Sequence, residues 1–324
     1  MIRYARLRPG RGFRLRRAIA YYAQRVVTVR GVRRGVWRCL AAAVRLRQGA
    51  SPPGPAEPRV AHAVAALERD GLARLADLVP PAEVATILAY FRDRKVIGPD
   101  GCAVVLSELP PGTAMAAYPL ATVVRCPGLM EAVNAPEILG VASRYLGCKP
   151  TISSLGVRWS FPPEGGGETT QCFHRDLDDW RSLKLFVYLT DVDAEGGPHV
   201  YAAGSHLTAA GLRAQLYAQP MVERRFGTEN LWTMTGPRGT TFMADVHGIH
   251  RGVPPRHKPR LILQAQYSLL PIFAFEYEPV AHPAAHGLDA YVNRLLVVRR
   301  VCPQACRPPP ASGDAQRKVV IARS

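Results

Sequence analysis

The sequence predicts a mainly-β domain of the sandwich or barrel kind, with flanking helices and a helical N-terminal extension. Three observations carry that expectation. From about Thr151 the chain breaks into short apolar or alternating segments, at 151–160, 170–174, 184–190, 198–202, 229–235, 240–244 and 260–270. Glycine and proline separate them, as in Gly196-Gly197-Pro198 and Gly252-Val253-Pro254-Pro255, and many short strands with such punctuation suit double-sheet jelly rolls. Upstream, the apolar period is helical instead: Val60, Val64 and Leu67, then Ile87, Leu88 and Phe91.

In chain order, residues 1–50 alternate arginines with apolar clusters and form a basic, arginine-rich arm. Ser51–Pro58 is a linker, because prolines at that density favour extended backbone and forbid a helix. Residues 59–294 form the main domain, with its β core at about 150–272. Pro80-Pro81-Ala82-Glu83 opens one helix, and Pro136-Glu137 opens another that Gly147 ends. Asp70–Leu78 reads as a turn and a short strand, Gly165-Gly166-Gly167 as a loop, and 204–228 as a partly helical insertion. The tail, 295–324, is basic and then proline-rich, with disorder expected over part of it.

Charge sorts the possible functions. The chain carries a net +17, but residues 1–50 hold fourteen arginines with no lysine and no acid, and 295–324 add +5. The stretch 51–294 is therefore at −2, so no nucleic-acid-binding core is expected. No apolar run in the arm approaches the roughly 18 to 20 residues of a membrane span. An acid-free, arginine-rich amphipathic helix suits the surface of an anionic membrane; an inert extension or a targeting peptide are the other readings. Seven irregularly spaced cysteines suggest free thiols in a reducing compartment, with Cys302 and Cys306 too isolated to make a zinc site. The expected location is cytoplasmic, with peripheral membrane contact through the arm.

The chemistry centres on His174-Arg175-Asp176. On an extended strand, residues two apart point to one face, so an imidazole and a carboxylate converge. A third ligand would complete the two-histidine, one-carboxylate set of non-haem Fe(II) sites. Two histidines compete for that position, His247 and His250. His250 is favoured, because the turn behind it leads to Arg260, ten residues on, and a hairpin there would return the arginine toward the ligand. His199, His206 and His257, and Asp178, Asp179, Asp191 and Asp193, read as turn, loop or supporting residues.

Taken together, His174-x-Asp176, the Gly196-Gly197-Pro198 turn leading to Gly204-Ser205-His206, the distal His250 with Gly252 and Pro254, and Arg260 resemble the phytanoyl-CoA dioxygenase family of Fe(II)/2-oxoglutarate oxygenases. The likeness spans roughly residues 60–275. It implies a double-stranded β-helix, a cupin-like jelly roll, with Fe(II) on His174, Asp176 and His250. It implies 2-oxoglutarate and O2 as co-substrates, ascorbate as a supporting reductant, and hydroxylation with release of succinate and CO2. Arg260 would hold the far carboxylate of 2-oxoglutarate. Trp180 would wall its pocket, where ectoine-hydroxylase-type members also carry tryptophan, and Ser268 is a further candidate contact on the strand that Arg260 opens. Related halogenases replace the acid of the triad by a small residue, so Asp176 favours hydroxylation or desaturation. The chain departs from the family at Pro255, where asparagine is usual, and no lysine before His174 is assignable to the co-substrate; Arg158 is a candidate for that role or for substrate binding. The expected substrate is small or lipid-linked, and anionic in keeping with the arm. A non-oxidative, cupin-type metal-binding isomerase or ligand-binding module is the alternative.

Overall fold

The computed structural model describes residues 3–49, 57–75, 79–163, 172–208, 212–213 and 215–299. Residues 51–56 of the expected linker, the glycine run 165–167, Cys302, Cys306 and the tail beyond 299 lie outside the described residues.

Thirteen strands position the site. In chain order they are β1 (Arg3–Tyr4), β2 (Leu72–Leu75), β3 (Val96–Ile97), β4 (Ala103–Val104), β5 (Met115–Ala117), β6 (Thr151–Ser160), β7 (Ser182–Tyr188), β8 (His199–Ala202), β9 (Leu231–Met234), β10 (Thr241–Asp245), β11 (His250–Gly252), β12 (Arg260–Ser268) and β13 (Phe275–Glu276). The large sheet runs β2-β10-β7-β12-β6-β5-β3-β4, and β11-β8-β9 form a smaller sheet. Every pairing within these sheets is antiparallel. This is a mainly-β architecture of antiparallel sheets with flanking helices, as the segment pattern predicts.

Strand alternation divides the interior in two. Leu183, Leu185 and Val187 of β7, with Leu261, Leu263 and Ala265 of β12, join the core beneath the helices. The intervening Phe186, Tyr188 and Ile262 point the other way and pack with Phe242 and Tyr201. Phe186 and Phe242 stack at 4.9 Å.

Helices flank the sheets, most of them over the core of the large sheet. They are α1 (Leu15–Val26), α2 (Arg30–Gln48), α3 (Pro58–Asp70), α4 (Pro81–Arg92), α5 (Leu120–Val124), α6 (Leu129–Val133), α7 (Pro136–Leu146) and α8 (Gln219–Phe226). Proline starts α7 and Gly147 ends it in the left-handed region at φ 73°, as expected of that sequence. Gly71, at φ 81°, ends α3 the same way, and a Cβ there would lie 2.2 Å from the Tyr201 hydroxyl. Only glycine fits that close approach.

Two findings depart from the expectations. His250 and Arg260 are not on the two strands of one hairpin. β11 pairs with β8 in the small sheet, whereas β12 lies in the large one. Pro254 and Pro255 have no N–H to offer a hairpin ladder, and the connection is tied elsewhere, by Val253 N to Pro198 O and Arg256 N to Glu195 O. The arginine-rich segment, for its part, folds against the body. Arg17 donates to Phe275 O, Arg25 pairs with Asp178 at 3.2 Å, Trp37 Nε1 donates to Leu146 O, and β1 pairs with β13.

Candidate metal centre

His174, Asp176 and His250 converge between the two sheets, each offering a ligand atom within 4.8 Å of the others. Backbone pairing brings them together. His174 and His250 bridge each other through N–H to O contacts of 2.9 and 3.0 Å, and Asp176 N donates to Val246 O. His174 Nε2 lies 3.7 Å from Asp176 Oδ1, and His250 Nε2 lies 3.7 Å from Oδ2. Each ring is oriented through its other nitrogen: His174 Nδ1 sits 3.1 Å from Cys172 O, and His250 Nδ1 sits 3.0 Å from Gly248 O. Carbonyl partners make both Nδ1 atoms donors, which leaves the Nε2 lone pairs for an ion.

The electrostatics favour ligation. Burial, and then His250, hold the His174 imidazole below its ordinary value, against the pull of Asp176. Burial would raise the Asp176 carboxyl, but the Lys184 ammonium and His250 outweigh it and keep the carboxyl well below the usual range. The site therefore presents a neutral imidazole at His174 and a carboxylate at Asp176 around neutral pH. Lys184 donates to Asp176 Oδ2 at 2.5 Å. The sequence reading missed Lys184. Its signal was there, a single cation opening an apolar strand in phase with the inward-facing Phe186 and Tyr188.

The segment before His250 is held by residues that are not ligands. Asp245 accepts from His247 N at 2.8 Å and from the Tyr145 hydroxyl at 2.5 Å. Ser205 Oγ accepts from Ile249 N at 2.7 Å. His247, the rival for the third position, is buried with Nε2 3.0 Å from Asp179 O and lies outside the cluster. The strand pattern places it three residues before His250 on one strand; the structure places it in the turn between β10 and β11.

Arg260 opens β12 beside the site. Nη2 donates to Ser160 Oγ at 3.1 Å, while Nε is buried with no partner. Burial lowers its guanidinium to about 10, still cationic at neutral pH. Arg158 Nε and His199 Nε2 are likewise buried without a partner, and the His199 ring lies 5.3 Å from that of His250. Unpartnered buried polar atoms are costly, so three of them near one cluster mark a place for a polar ligand. Arg158 also lines a cavity of about 560 Å³, with Met115, Tyr118, Phe275, Tyr277 and Tyr4 among its walls; His174, Asp176, His250 and Arg260 are not among them, so Arg158 is the residue that joins the cavity to the cluster.

Two of the expected co-substrate contacts are not brought to Arg260. Ser268 ends the same strand, eight residues away, which at about 3.3 Å per residue is about 26 Å. Its hydroxyl donates to Leu270 O. Trp180 turns toward α2, where the Arg33 guanidinium lies 5.1 Å from its ring, and it does not line the cavity. Asp179, expected either to face solvent or to bind a loop backbone, does the second: it is fully buried and accepts from the amides of Trp180, Leu269 and Leu270.

Two antiparallel sheets thus hold between them a His-x-Asp and distal-His cluster. No protein-family model matches the chain, and no curated protein matches it by sequence. Among solved structures it is similar to EctD from S. alaskensis with 2-oxoglutarate and 5-hydroxyectoine, at 19% identity over 77% of this chain and 92% of that one, with a TM-score of 0.52. The apo form of EctD matches at 19% identity over 77% and 91%, with a TM-score of 0.50. The epimerase SnoN in complex with Fe3+, alpha ketoglutarate and nogalamycin RO matches at 20% identity over 64% and 83%, with a TM-score of 0.47. At these identities the likeness to EctD is one of fold.

Proposed function

We propose that the chain is an Fe(II)- and 2-oxoglutarate-dependent oxygenase of the phytanoyl-CoA dioxygenase type, hydroxylating an organic substrate with release of succinate and CO2. The observation that carries this reading is the pairing of a three-ligand cluster with an arginine whose buried Nε has no protein partner.

The residues present fit both groups. Two imidazoles and one carboxylate are the donor set for Fe(II), on His174 Nε2, Asp176 and His250 Nε2. Such an ion, with 2-oxoglutarate and O2, supplies an oxidant able to attack an unactivated C–H bond. The protein's own groups do the rest. The carbonyls of Cys172 and Gly248 fix the tautomers of the two histidines. Arg260 offers a planar fork to the distal carboxylate of 2-oxoglutarate, with Ser160 steadying one arm of it. Lys184 donates to Asp176 Oδ2 and holds that carboxyl in its charged form, as a ligand to such an ion would need. Arg158 sits where an anionic group of the substrate, or the near end of 2-oxoglutarate, would meet it. The aromatic and aliphatic cavity walls favour a substrate with a sizeable apolar part, small or lipid-linked.

The test is succinate formation by purified protein supplied with Fe(II), 2-oxoglutarate, ascorbate and air. Slow uncoupled turnover is expected without substrate, and it should vanish in His174→Ala. Equal turnover in the variant would remove the assignment. EctD-like fold alone leaves hydroxylation, desaturation and epimerisation open, and product analysis after a metabolite screen separates them.

A further inference from the structure

The docked N-terminal segment has a second face. On α1, Leu15, Ile19, Tyr22 and Val26 fall on one stripe, at spacings of four, three and four residues, and they are 60%, 60%, 44% and 75% exposed. The body is bound from the rest of the helix, through Arg17, Gln24 and Arg25. Leu7, Pro9 and Phe13 fold back along the stripe and make an apolar groove of about 440 Å³. Arg8 lines it, the arginines at 6, 11, 14 and 16 of the same segment are also exposed, with Arg14 3.9 Å from Glu276, and no acidic residue occurs in residues 1–50. Eight of the twelve large apolar side chains exposed among the described residues belong to this segment. Such a patch is too concentrated for ordinary surface scatter.

We propose that this face of α1 is a docking surface for an anionic lipid bilayer, with the apolar stripe inserted at the acyl boundary and the arginines on the headgroups. Charge complementarity selects the occupant. A second copy of the chain would set arginine against arginine. A polynucleotide would engage the arginines and leave the apolar stripe in water. An anionic membrane satisfies both at once, and long arginine side chains reach the headgroup level while their stems stay apolar. The face also borders the cavity mouth. Tyr4, which lines the cavity, lies three residues before Leu7 of the groove, and Arg17 of α1 holds Phe275 of the cavity wall by its carbonyl. This inference is independent of the chemistry proposed above.

Co-sedimentation of the full-length protein tests it, with phosphatidylcholine vesicles that contain or lack phosphatidylglycerol. The protein is expected to pellet with the anionic vesicles only, and to be released by high salt. The double substitution Ile19→Glu/Val26→Glu should weaken binding at least about tenfold, and Arg8→Glu/Arg11→Glu/Arg16→Glu should do the same, with thermal midpoints unchanged because these side chains point outward. A Tyr22→Trp variant should shift its emission to the blue on anionic vesicles, a readout of insertion that needs no loss of function. Wild-type protein left in the supernatant, equal binding to neutral vesicles, or full binding by both glutamate variants would each overturn the proposal. So would a dimer in light scattering that Ile19→Glu abolishes, since that would give the stripe to a second copy.

Discussion

Two buried polar clusters in this molecule are built from the same residue types and differ in what their atoms touch. Beneath α2, Arg33 donates to the carbonyls of Gln24, Val27 and Asp179, Asp179 accepts three backbone amides, and His247 meets the Asp179 carbonyl. Between the sheets, the Nε2 atoms of His174 and His250 face only Asp176 oxygens at 3.7 Å, and the Nε atoms of Arg260 and Arg158 face nothing. The first cluster spends most of its hydrogen-bonding capacity on the protein and ties the N-terminal helices to β12. The second keeps its capacity in reserve. The knot too leaves Arg33 Nε and Gln24 Oε1 without a partner, so what separates the site is the convergence of three ligand atoms on one point together with its unpartnered cations, rather than burial or residue type.

Substitutions can break that contrast. The largest expected effect is on the site: Asp176→Ala should cut uncoupled 2-oxoglutarate turnover by about a thousandfold and lose bound iron, because it removes one of three ligands. Circular dichroism should show the fold retained. Next, Arg260→Leu should raise the KM for 2-oxoglutarate by about tenfold to a hundredfold, the worth of a charge-assisted pair of about 1.5–3 kcal/mol, with iron content unchanged. In the knot the pattern should invert. Asp179→Ala strands three amides and the Arg33 charge, costing about 3 kcal/mol, or about 6–12 °C in thermal midpoint, while the surviving folded protein keeps its iron affinity. Smallest of all, Trp180→Phe should leave the KM for 2-oxoglutarate within about twofold, since its ring faces Arg33. A large rise would return that tryptophan to the co-substrate pocket.

Much of the site was legible because it is local. His174-x-Asp176 needs only strand alternation, and the turn residues around Gly197 and Gly204 need only positive φ. The strands at 151–160 and 260–268 followed from apolar runs bounded by glycine and proline, and α7 followed from Pro136 and Gly147. What was hidden depends on pairing between distant segments. Nothing local says that β11 joins β8 while β12 joins β6 and β7, so a hairpin was inferred where the chain changes sheets. Lys184 becomes a partner of Asp176 only once β7 is placed beneath the cluster. How the arm packs was hidden for the same reason, since Arg17, Arg25 and Arg33 find acceptors more than a hundred residues away.

The central claim is that His174, Asp176 and His250 hold Fe(II) and that Arg260 anchors 2-oxoglutarate upon it. Anaerobic titration of the purified protein with Fe(II) and then 2-oxoglutarate tests this without any knowledge of the substrate. The expected result is a visible charge-transfer band from 2-oxoglutarate chelated to Fe(II), saturating at one equivalent of iron, absent in Asp176→Ala and needing far more 2-oxoglutarate in Arg260→Leu. A folded wild-type protein that gives no band, or a band of equal intensity in Asp176→Ala, would contradict it.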